Sequence, residues 1–219
     1  MARIARTNLS QILLVEGKND YHVLLSLCKH YDLPETFKII DKEGVENVLE
    51  TLEAEIAGSS NERIGVIVDA DTDLKARWTE ISSILARCGY LPPEAPDKNG
   101  TIIPHDRKPT IGVWLMPDNR LPGELEDFIA FLVPDKHSDS LWRHATQSLS
   151  LLPASPTRFP DQDRSKAHIH TWLAWQREPG KPLGQAITAR YLDANAPDAQ
   201  CLMQWLKTLF VQAPETLST

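Results

Sequence analysis

Glu16 follows the apolar run Gln11–Val15 in LLVEGKND, and Asp69, Asp71 and Asp73 follow the apolar run 64–68 in VIVDADTD. Carboxylates placed directly after apolar strands lie where the chain turns at a sheet edge, so their oxygens can converge. Like charges held that close repel and raise one another's pKa unless a cation is present. Hard carboxylate oxygens suit Mg²⁺ or Mn²⁺, and Mg²⁺ commonly takes one or two carboxylates while keeping several waters. The chemistry indicated is a divalent-metal site. Asp73 has a competing role as the N-cap of the helix that follows.

A second acidic cluster, Glu124, Glu126 and Asp127, lies in GELEDF. Its plain reading is a solvated first helical turn, favoured by the helix dipole. Among the cations, Lys166 and His170 in KAHIHTW are spaced i and i+4, on one helical face. A lysine there could neutralise a phosphate or a developing negative charge. Lys18, in the first strand-to-helix turn, could meet a phosphate at that helix N-terminus or pair with Asp69 or Asp20. Asn19 and Asp20 read as N-caps. No G-x-x-x-x-G-K-[ST] loop occurs, and the histidines lack zinc-ligand spacing.

These residues need a scaffold. Residues 11–15, 37–41, 64–68 and 111–116 read as apolar, buried strands. Helical periodicity over 19–31, 45–56, 73–88 and 124–133 separates and follows them. The alternation implies an α/β fold: a Rossmann-like, mostly parallel sheet flanked by helices. Residues 91–109 read as a loop, or as a hairpin around Asn99–Gly100. After residue 135 the strand signals stop. Residues 138–152, 164–176, 183–192 and 198–210 then read as helices, followed by a polar tail over 213–219. The organisation is therefore an α/β domain, 1–135, and a helical C-terminal extension packed on it, 136–219. Trp142, Trp172, Trp175 and Trp205 read as core within those helices rather than as base-stacking platforms.

The net charge of −7 argues against a general nucleic-acid coat protein. Residues 1–135 hold 14 basic and 23 acidic side chains, a net of −9; residues 136–219 hold 9 and 7, a net of +2. The three cysteines lack metal or disulfide spacing and read as buried, reduced thiols of a cytoplasmic protein. No apolar run is long enough to span a membrane, and the start has no signal-peptide pattern.

Glu16–Gly17, with Asp69-Ala-Asp71 about fifty residues on, each after an apolar strand, resembles the Toprim domain of topoisomerases, bacterial primases and several nucleases. The likeness covers roughly residues 10–135. It implies that Glu16 acts as a general acid or base and that the aspartates hold Mg²⁺. The GELEDF segment resembles the additional acidic motif of the overcoming-lysogenization-defect nucleases. That resemblance implies two metal ions, with Glu124, Glu126 or Asp127 completing the second site, and a C-terminal lysine, here Lys166. The whole chain also resembles an uncharacterised Toprim-like branch, through KAHIHTWLAWQREPGKPLGQAI, which implies no activity of its own. The leading expectation is a Mg²⁺-dependent nuclease acting on DNA or RNA. The alternative is a Toprim-fold binding or regulatory module working with a partner protein or ATPase. Nucleotidyl transfer lacks a recognisable primase extension, and no topoisomerase tyrosine domain is evident.

Overall fold

The computed structural model describes residues 10–58, 60–152 and 158–211. The amino-terminal start and the polar tail at 213–219 lie outside the described residues. Five strands make one sheet in the order β2-β1-β3-β5-β4. They are β1 (Gln11–Val15), β2 (Lys38–Asp41), β3 (Arg63–Asp69), β4 (Thr101–Ile103) and β5 (Thr110–Met116). β1, β2, β3 and β5 run parallel, and β4 is an antiparallel edge. The fold is thus the expected α/β, Rossmann-like sheet with flanking helices and a C-terminal helical extension.

The helices are α1 (Lys18–His30), α2 (Val45–Gly58), α3 (Leu74–Arg87), α4 (Leu125–Phe131), α5 (Ser140–Ser150), α6 (Arg164–Ala174), α7 (Leu183–Thr188) and α8 (Pro197–Phe210). Alternation along the strands divides the core in two. Ile12, Leu14, Ile64, Val66 and Val68 face α2 and α3. Leu13, Val15, Ile67, Trp114 and Met116 face a layer that includes α1, α4, α6 and α8. The C-terminal helices therefore supply much of one covering layer and share its core with the sheet. Burying a large apolar side chain is worth about 1.5–3 kcal/mol, so this layer is integral to the fold.

Two glycines let α8 approach. Gly65 and Gly112 are register partners on β3 and β5. A Cβ on Gly112 would stand 2.3 Å from Leu209 Cδ2, and one on Gly65 would stand 2.9 Å from Phe210 Cζ. The missing side chains make a shallow depression that α8 fills.

Four local expectations are corrected. The hairpin is formed by β4 and β5, so its turn lies at 104–109; Asn99–Gly100 belongs to a turn before β4. α1 begins at Lys18 with Gly17 as N-cap, so Asn19 and Asp20 are inside the helix. Trp142, Trp172 and Trp205 are core, whereas Trp175 is 38% exposed. The cysteines are free but only half-buried.

Candidate metal centre

The strand order reverses at β1: the chain moves outward to β2, then returns past β1 to β3 and β5. In open parallel sheets such a switch leaves a crevice at the carboxyl ends of the strands, where ligands bind. Glu16 leaves β1 and Asp69 ends β3 at that crevice. The Asp69 backbone N–H donates to Glu16 Oε1 at 2.6 Å. The Leu125 N–H donates to Asp69 Oδ1 at 3.0 Å, tying the start of α4 to the end of β3.

A second tie joins the two acidic motifs. The Asp71 N–H donates to the Gly123 carbonyl at 2.9 Å, forming an isolated antiparallel bridge. Gly123 has φ +144°, and a Cβ there would lie 2.6 Å from Asp127 Oδ2. Glycine meets both demands, an otherwise strained backbone and a close approach. Asp127 Oδ2 accepts from the Glu124 N–H at 2.9 Å, and its Oδ1 accepts from Ser165 Oγ at 2.6 Å. α6 is thereby latched to α4.

These ties frame an open pocket of about 470 Å³ lined by Glu16, Asp20, Asp69, Glu126, Lys18 and Lys166. Asp20 is 7% exposed and Glu126 3%. Burial, then the nearby charge of Glu16, holds the Asp20 carboxyl up at about 7. Burial, then Glu16, Asp20, Glu126 and Asp71, pushes Asp69 up to about 9. Glu16 and Glu126 are also raised, mainly by burial. Four carboxyl groups competing for one low-dielectric space is a proton- or cation-seeking arrangement.

Not every expected residue meets in that pocket. Asp71, with φ +52°, is exposed; its Oδ2 pairs with Arg77 at 2.6 Å. Arg77 also donates through Nε to the Asp69 carbonyl at 3.1 Å. Asp73 takes its competing role: it caps α3, its Oδ1 accepting from the Ala76 N–H at 2.9 Å. Glu124 and Asp127 line an adjoining pocket of about 360 Å³ with Asp71 and Asp163. Glu124 Oε1 is buried without a hydrogen-bond partner. Lys166 spans the two pockets, its Nζ 3.4 Å from Glu124 Oε2 and 3.9 Å from Glu126 Oε1. Burial opposes the Lys166 charge, but Glu126 and Glu124 outweigh it and raise the pKa. His168 packs on Trp142, with ring centroids 3.9 Å apart, and is a packing residue.

Among the described residues, no three His, Cys, Asp or Glu side chains stand together as a ready-made metal cage. The donor set nonetheless fits a hard divalent ion, being carboxylate oxygen throughout, with Glu124 Oε1 left over. Three participants are not among the expected site residues: Asp20, Arg77 and Ser165. Asp20 lies four residues after Glu16, a spacing that turns it back toward the strand end once α1 starts at Lys18. Arg77 and Ser165 carried no signal of their own.

Among the described residues, no helix is long and apolar enough to cross a membrane. No curated protein matches the chain, and no solved structure does. Residues 10–211 match the family model described as "Protein of unknown function (DUF3226)", and the chain belongs to that family.

Proposed function

We propose that this protein is a Mg²⁺-dependent phosphodiester-cleaving enzyme acting on DNA or RNA through an acidic site of Toprim type. The observation that carries the reading is the meeting of Glu16, Asp20, Asp69 and Glu126, with Lys166 beside them, at the topological switch of the sheet. Asp69 and Asp20 offer oxygens to a divalent ion, with Glu16 and Glu126 alongside. Such an ion, when bound, polarises a phosphodiester and makes water a better nucleophile. Glu16 has Oε1 taken by the Asp69 amide, which leaves Oε2 to exchange a proton with that water. Lys18, at the first turn of α1, and Lys166 supply positive charge for a phosphate.

The test is cleavage of plasmid and single-stranded substrates with Mg²⁺ or Mn²⁺. Asp69→Ala is expected to abolish turnover; undiminished cleavage by that variant refutes the reading. A second reading, a metal- or nucleic-acid-binding regulatory module working beside a partner protein, is favoured by one observation. Asp71, the second residue of the D-x-D pair, is engaged by Arg77 instead of facing the pocket. That reading predicts calorimetric Mg²⁺ binding without turnover.

A further inference from the structure

The outlying carboxylates are already matched with built-in partners. Asp71 has Arg77 at 2.6 Å. Asp127 is occupied by the Ser165 hydroxyl and the Glu124 amide. Lys166 Nζ stands among three acids: Glu124 at 3.4 Å, Asp163 at 3.8 Å and Glu126 at 3.9 Å. By contrast, Glu16, Asp20 and Asp69 make no ion pair among the described residues, although all three line the main pocket. The carboxyl groups left without a cationic partner are therefore concentrated on one side of Lys166.

We infer that the site takes a single divalent cation, held on the Glu16–Asp20–Asp69 side, and that the Lys166 ammonium stands where a second cation would otherwise sit. The inference rests on the metal-site reading above and narrows it. An ammonium among three carboxylates balances charge as a metal ion would, but it is tethered to α6 and cannot dissociate. Its removal leaves Glu124, Glu126 and Asp163 facing one another in partly buried surroundings, where like charges demand compensation. Glu124 Oε1, buried and without a partner, then becomes available to an incoming ion. Lys166 is thus a positioning residue for the acid cluster as well as a source of charge toward a phosphate.

The test is a Mn²⁺ titration of the full chain, with free Mn²⁺ counted by electron paramagnetic resonance, independent of turnover. One equivalent is expected for the wild type and for Lys166→Arg, and two for Lys166→Met. No binding to the wild type overturns the metal-site reading itself. Two equivalents on the wild type leave that reading standing and overturn this inference. So does a single equivalent on Lys166→Met. If Lys166→Met does not fold, Glu124→Gln decides. With Glu124 serving Lys166, wild-type affinity changes by no more than about twofold, whereas a loss of about tenfold, or 1.4 kcal/mol, marks Glu124 as a ligand and overturns the inference.

Discussion

Asp69 offers a quantitative handle on the acidic pocket. Its carboxyl is pushed up to about 9 in the folded chain, against an ordinary value near 3.8. Between those two values the folded protein holds a proton that the unfolded chain has released. Stability must therefore fall as pH rises through that window. At about 1.4 kcal/mol per pH unit, moving from about pH 5.5 to about pH 7.5 without metal removes roughly 3 kcal/mol through Asp69 alone. Asp20, held up at about 7, adds a contribution of the same sign that ends near that value. For a chain of this size the Asp69 loss lowers Tm by roughly 6–12 °C. The perturbation is Asp69→Asn, which keeps an oxygen for the Leu125 amide and removes the charge. Thermal unfolding in EDTA should show a Tm slope with pH that is shallower in the variant by about this amount. The titrations of His168 and His170, both lowered by burial, act in the opposite direction but cancel between the two proteins. Added Mg²⁺ should restore wild-type Tm most at the higher pH and leave Asp69→Asn nearly unmoved. Equal slopes in the two proteins, or an equal Mg²⁺ shift in both, would refute the reasoning.

Gly123→Ala should cost about 1–3 kcal/mol in urea unfolding, because it meets both a positive φ and the Asp127 carboxylate at 2.6 Å. The same variant should weaken Mn²⁺ binding, since Gly123 bridges the D-x-D turn to the α4 acids; unchanged stability contradicts the close approach. Gly112→Ala should cost a similar amount, about 1–3 kcal/mol, by pushing Leu209 and Trp205 off the sheet. A shift of the urea midpoint with m unchanged is the expected signature.

The parts of the fold set by periodicity were readable. The four parallel strands were placed within two residues, because continuous β-branched and aliphatic runs such as IGVIV have few other uses. β4 was not readable as a strand: it is three residues, TII, after a polar loop, and exists by pairing with β5. At the site, strand-end carboxylates such as Glu16 and Asp69 announced themselves by position. Asp20 did not, because an aspartate in the first turn of a helix ordinarily serves as a cap. Its partners in the pocket, Asp69 and Glu126, come from far along the chain, a long-range fact. Asp71 illustrates the converse. Its motif was plain, but the arginine that holds it lies six residues on in α3, where Glu80 at i+3 offers that arginine a local partner. Two glycines within apolar strands carried a packing message that only the partner helix makes legible.

The latch between α6 and α4 has a consequence for the order in which the protein is made. Synthesis delivers Glu16, Asp20, Asp69 and the α4 acids first, while Ser165 and Lys166 are still to come. Until then the emerging chain has an acidic crevice without its Lys166 counter-charge and an apolar sheet face that α1 and α4 cover only in part, with α8 arriving last. A working site therefore belongs to the finished polypeptide. A nascent chain halted near residue 135 would display the acids without Lys166, in a sheet still lacking the C-terminal part of one covering layer.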